Sequence, residues 1–161
     1  MTFTPFFKNS ARNEILFQVL LHIVVFLFFT FDRYEPEIHG FKVVTFLNYA
    51  LGALVVNYML LPRFFYQKKY FIFFCYVVIL VSIIMAFEEL VLEQIFYPDT
   101  RAKYFPGVVF SLLDVLPVIL ILVGFKFAWD ASIKQLEVEE LRTSVKESEL
   151  LFLKSQINPH F

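Results

Sequence analysis

His160 is preceded by Asn158-Pro159 and followed by Phe161. Proline lacks an N–H, and its ring clashes with the carbonyl four residues back, here that of Ser155. Asn158, standing before the proline, is pushed out of the helical region. A helix arriving from upstream must therefore break here, presenting the imidazole instead of packing it on a regular face. With a reference pKa of about 6.5, a neutral imidazole is a good nucleophile near neutral pH.

Asp114 is the second chemically loaded residue. It is the only formal charge in a long apolar run, 104–125, about ten residues from its start. A carboxyl at mid-bilayer depth costs about 2.5–3.5 kcal/mol, so it should face other helices and hold a partner. Ser111 and Pro117 lie three residues to either side, on roughly the same helical face. Pro117 frees the carbonyl of Leu113 and should bend the helix. Gln18 and His22 share a face of an earlier apolar run, and His22 is a candidate partner for Asp114. Asp114, His22 and Gln18 are thus the candidates for intramembrane sensing.

Other polar residues have plainer readings. Asn48 with Gly52, and Ala50 with Ala53 and Asn57, form small and polar stripes suited to joining helices. Glu88, Glu89 and Glu93 cluster without a histidine or cysteine at ligand spacing, so a solvated helix end is expected and no metal site. Cys75 lies alone in an apolar run and reads as a small buried hydrophobe.

The elements that must position these residues follow from composition. Of the 161 residues, 59% are apolar and 18% charged; 23 are phenylalanine. Soluble domains have about 45–50% apolar residues, glycine included, and about 25% charged ones. The 4 glycines, 7 prolines and 1 cysteine exclude collagen-like, disordered and disulfide-scaffold classes. What remains is a membrane protein. Runs 15–31, 43–61 and 70–87 carry no Asp, Glu, Lys or Arg, and 104–125 carries Asp114 alone. About 20 helical residues cross a hydrocarbon core, and these runs lack the alternation of barrel strands. A cleaved signal peptide is a poor fit to the first run, which ends Phe28-Phe29-Thr30-Phe31 with no small-residue cleavage site.

The expected architecture is an all-α membrane protein with four spans. Residues 1–14 form a tail, 15–129 the membrane domain, 130–157 a cytoplasmic helix and 158–161 a terminal motif. Basic residues set the orientation. Lys8, Arg12, Arg63, Lys68 and Lys69 lie on one side, against Arg33, Lys42, Arg101 and Lys103 on the other. Lys126 and Lys134 add to the first side, which places both termini in the cytoplasm. Tyr34, Tyr66, Tyr70, Tyr97, Tyr104 and Trp129 lie near span ends, as interfacial aromatics do. Net charge is about neutral both before and after residue 130, so nucleic acid is not an expected partner.

From Asp130 the composition turns to Glu, Lys, Leu, Ser and Val, with no glycine or proline before Pro159. This reads as one helix leaving the fourth span. Val138, Leu141, Val145, Ser148, Phe152 and Ser155 follow alternating steps of four and three, the seam of a short parallel coiled coil in a homodimer.

The closing run Leu153-Lys154-Ser155-Gln156-Ile157-Asn158-Pro159-His160-Phe161 resembles the phosphoacceptor box of LytS-like bacterial sensor histidine kinases. That family's pattern reads roughly L-x-x-Q-I-N-P-H-F-L-F-N, and Gln156, Asn158, Pro159, His160 and Phe161 match it along with Ile157. The resemblance implies that His160 accepts phosphate from ATP, with Mg²⁺, and passes it to an aspartate of a response regulator, often of LytTR type. It implies a multi-pass protein of the bacterial inner membrane. Gly40, Gly52, Gly107 and Gly124 are isolated, so no glycine-rich ATP lid is present. The ATP-binding domain is therefore expected beyond these residues, and no cofactor is expected within them. Two alternatives stand beside this reading. One is a small transporter or channel with Asp114, His22 and Gln18 lining a path. The other is a membrane anchor whose coil only dimerises.

Overall fold

A computed structural model describes residues 10–31, 38–98 and 108–157. Asn158, Pro159, His160 and Phe161 lie outside the described residues. Within them the chain forms helices and no strand. Helix α1 runs Ser10–Thr30, α2 Gly40–Phe65, α3 Tyr70–Phe96 and α4 Val108–Ile157. All four are long and apolar enough to cross a membrane.

The helices alternate in direction. At one end, here called distal, α1 finishes, α2 begins, α3 finishes and α4 begins. Phe41 there meets Phe96 and Tyr97 edge-on, and the Lys42 ammonium donates to the Thr30 carbonyl at 3.4 Å. At the opposite, proximal end the Tyr58 hydroxyl donates to Glu14, and Phe65 packs on Phe127.

Alpha-helical geometry gives way to wider π-helical turns twice. Residues Val56–Phe65 of α2 adopt it around Pro62, and Glu88–Leu92 of α3 adopt it around the acidic cluster. Such wide turns recur at functional sites because they reposition side chains along a helix. The α2–α3 turn is closed by backbone bonds from Lys68 to the Phe65 carbonyl and from Lys69 to that of Phe64, each 3.0 Å. Lys68 takes a left-handed φ of 62° to make it.

The core lies between α2 and α4, where Tyr49, Ala53, Val115 and Leu122 are fully buried. The small-residue stripes of α2 do what their spacing predicts. Asn48 donates to the Ile84 carbonyl of α3 at 3.1 Å, and Gly52 lies against the Ile84 side chain. Asn57, on the other stripe, donates to the Leu122 carbonyl of α4 at 3.4 Å. Around this core an outer belt stays exposed in the single chain, including Leu16, Leu20, Phe28, Phe71, Phe74 and Leu120. Water would not tolerate so large an apolar surface, whereas lipid is its natural solvent.

Helix α3 outruns its expected span. Helix α3 continues past Phe87 to Phe96, because Glu88 and Glu93 turn inward instead of ending it in water. Helix α4 runs unbroken through Pro117 and on to Ile157. From Glu137 to Gln156 its residues are exposed, Val138, Leu141, Val145 and Phe152 among them.

Candidate functional site

Two polar constellations sit at opposite ends of the bundle. The distal one surrounds a cavity of about 1360 Å³ reached by all four helices. Its carboxylates are Glu88, Glu89 and Glu93 of α3 and Asp114 of α4. Glu88 accepts a hydrogen bond from Tyr49 of α2 at 2.6 Å, and Glu89 one from Ser111 of α4 at 2.9 Å. Adjacent residues of the wide turn in α3 thus bind two different helices. Glu93 and Asp114 line the same cavity, so the four acidic side chains form one cluster. Aromatic and apolar residues of α1 and α4 line the rest of the wall, Phe29 and Phe110 among them.

This corrects the expectation of a solvated helix end for the three glutamates. Glu88 is 9% exposed and Glu93 4%. The fully buried Tyr49 hydroxyl needs an acceptor, and Glu88 supplies it. Sequence patterning carried a signal for this: a tyrosine among the small residues of α2 has no apolar use for its hydroxyl.

Asp114 lines this cavity, with Ser111 and Pro117 beside it. Gln18 and His22 do not line it. The His22 Nδ1–H donates to the Gln18 carbonyl of its own helix at 2.7 Å, and Nε2 has no hydrogen-bond partner. Helix register is the cause. In antiparallel α1 and α4, Glu14 pairs with Lys126 and Phe17 stacks on Trp129. That offset sets Asp114 level with a later part of α1, about one to three helical turns beyond His22. Gln18 is 5% exposed, and neither side-chain atom has a partner.

The proximal constellation escaped the sequence reading. The Lys126 ammonium lies between Glu14 at 2.7 Å and Asp130 at 2.6 Å, its side chain 7% exposed. Asp130 also accepts from the Tyr66 hydroxyl at 2.6 Å. Lys134 rests over the Tyr66 ring at 4.1 Å. Burial and the Asp130 hydrogen bond push the Tyr66 phenol above its ordinary range, so it stays a neutral donor. The network joins α1, α2 and α4 where α4 leaves the bundle. The one clue in the sequence was the four-residue spacing of Lys126 and Asp130.

Among the described residues, no group of three or more His, Cys, Asp or Glu side chains is placed to hold a metal ion. Cys75 is a half-buried free thiol.

The fold and sites define a class: an all-helical protein with four membrane-length apolar helices, a distal acidic cavity and a long helix leaving the proximal end. Comparison with protein-family models, curated proteins and solved structures finds no match.

Proposed function

We propose that this chain is the membrane sensor and transmitter part of a LytS-like two-component sensor histidine kinase. The observation that carries the reading is the sequence Gln156-Ile157-Asn158-Pro159-His160-Phe161, which begins in the last turn of a helix that continues from the fourth span. Both termini face the cytoplasm, on the strength of the basic residues at the proximal side. The distal cavity then faces outward, where a stimulus arrives, and the proximal network stands at the root of the output helix.

Two chains pair through the exposed seam of Val138, Leu141, Val145 and Phe152 as a parallel coiled coil. A change in bundle packing reaches His160 as a shift or rotation of this helix. In the phosphoryl step, the bond between the γ-phosphorus and its bridging oxygen breaks as a bond from phosphorus to an imidazole nitrogen forms. ADP leaves and the ring releases a proton. ATP and Mg²⁺ are held by the parent's ATP-binding domain, and the phosphoryl group passes on to a response-regulator aspartate, in a partner of LytTR type. The setting is a bacterial inner membrane.

The test is radiolabelled ATP with the complete parent protein. An acid-labile, base-stable phosphohistidine should form and map to the peptide containing His160. Label retained at wild-type level in His160→Gln would sink the kinase reading and leave the transporter and anchor readings standing.

A further inference from the structure

One pattern occurs twice where α2 meets α4 at the proximal end. The Tyr58 hydroxyl donates to Glu14 at 3.2 Å, and the Lys126 ammonium stands 5.3 Å from the centre of the Tyr58 ring. The Tyr66 hydroxyl donates to Asp130 at 2.6 Å, and the Lys134 ammonium stands 4.1 Å from the centre of the Tyr66 ring. Helices α2 and α4 both start at the distal end and so run in the same direction. Tyr58 and Tyr66 are eight residues apart, and so are Lys126 and Lys134. One axial offset therefore satisfies both rungs. Glu14 of α1 reads the same offset, through its ion pair with Lys126 at 2.7 Å.

Asp130 lies about one helical turn from each lysine, so charge alternates down this face of α4. A slip of α4 by one turn toward the distal end would set Asp130 against Glu14, carboxylate on carboxylate, where the Lys126 side chain is now 7% exposed. A slip the other way would set the fully buried Leu122 against Glu14 and take its cation away. Apolar packing resists the same motion independently. The Phe17 ring of α1 lies 6.2 Å from that of Phe125 and 5.1 Å from that of Trp129, which are one turn apart on α4. A ring held against two successive turns must ride over one of them when the helix slides. Rotation meets less resistance. A modest turn of α4 about its own axis keeps each charge level with its partner, and a lysine stem is flexible enough to follow.

We propose that Glu14, Tyr66, Lys126 and Asp130 form a register lock, which holds α4 at one axial position against α1 and α2 and leaves it free to rotate or tilt within that position. Its consequence for output rests on the sensor reading: a change in the bundle reaches the output helix as rotation or tilt, without a one-turn slip. The lock itself is a property of the bundle and stands without that reading.

The experiment uses the 161-residue chain in phosphatidylglycerol nanodiscs, with Cys75→Ser removing the native thiol. Spin labels at Gln67→Cys and Glu147→Cys, both exposed positions, report the distance from the α2–α3 turn to a point down α4 by pulsed electron resonance. Dilution with unlabelled chain restricts the reading to one molecule. With the network intact, one narrow distance is expected. Exchanging the charges by Lys126→Asp with Asp130→Lys puts a carboxylate against Glu14 in the native register. It should add a population shorter by about 5.4 Å, one helical turn. Adding Glu14→Lys restores opposite charges in the native register and should return the original distance. Glu14→Gln keeps an acceptor for Tyr58 and removes only the charge, so it should broaden the distribution. A distance that ignores the charge exchange, or a distribution left equally narrow by Glu14→Gln, would overturn the lock and assign the register to apolar packing alone. The Glu14→Gln arm decides the question even where the exchanged chain does not fold. Because the readout is a distance within the chain, a failure of His160 phosphorylation would not count against the lock, nor a failure of the lock against the kinase reading.

Discussion

The hydroxyl of Tyr66 reaches Asp130 at 2.6 Å, and this bond fastens the end of α2 to the residue at which α4 leaves the bundle. A hydrogen bond to a charged group is worth about 1.5–3 kcal/mol, and half-burial places this one near the lower figure. Tyr66→Phe should therefore cost roughly 1.5 kcal/mol in detergent or nanodisc melting. The phenol's ionisation is raised in the folded state by burial and by Asp130. The bond's contribution is thus complete below the unfolded value of about pH 10 and lost as the pH climbs above it. The stability gap between wild type and Tyr66→Phe should hold constant around neutral pH and close in the alkaline range. A gap that varies between about pH 6 and pH 9 would contradict this assignment.

Lys126 should be the most sensitive residue of the proximal network. It bridges Glu14 and Asp130 with a nearly buried side chain. Lys126→Met leaves two carboxylates facing each other, and removing one partner of a buried pair costs about 3–5 kcal/mol. Adding Glu14→Gln should recover part of that loss, because only one uncompensated charge then remains. A double-mutant cycle read by thermal melting checks this, and purely additive effects would show that the three groups are not coupled.

Gly52 admits no side chain without displacement of its neighbour. A Cβ there would overlap Cδ1 of Ile84 on α3. Gly52→Ala should destabilise by about 1–3 kcal/mol through overpacking. Ile84→Val removes that Cδ1 atom, so it should rescue Gly52→Ala while mildly destabilising the parent sequence. Absence of rescue would place the cost elsewhere than the α2–α3 contact.

Lys68 adopts the left-handed conformation that glycine takes without strain. Lys68→Gly should raise stability by up to about 1 kcal/mol, the order of the left-handed penalty less the entropy of a freer unfolded chain. A drop in melting temperature would show that the lysine side chain contributes more than the turn loses.

Asp114 should govern signal more than insertion. It lines the distal cavity near the start of α4. In the complete parent, Asp114→Leu should keep membrane levels and shift basal or stimulated autophosphorylation. Unchanged output across the stimulus range would make it a packing residue.

The number of helices was legible because lipid imposes one rule on every residue in a span. Backbone groups must bond within the segment, and charges must leave it, so absence of charge over a membrane length marks each helix before any contact is known. The Asn48–Gly52 and Asn57 stripes were legible for a similar reason, since small and amide residues four apart have few other uses in lipid. The glutamates of α3 misled because a carboxylate cluster at the end of an apolar run looks the same whether water or a tyrosine hydroxyl receives it. Only the placement of Tyr49, thirty-nine residues from Glu88, decides between them. His22 and Asp114 failed to meet because pairing across antiparallel helices depends on register, set by contacts such as Glu14 with Lys126. The sequence by itself determined the four helices long and apolar enough to cross a membrane and the run from Gln156 to Phe161. Tertiary structure alone decided which polar groups share a cavity and which clamp α4 where it leaves the bundle, because those relations join residues that periodicity along one helix cannot connect.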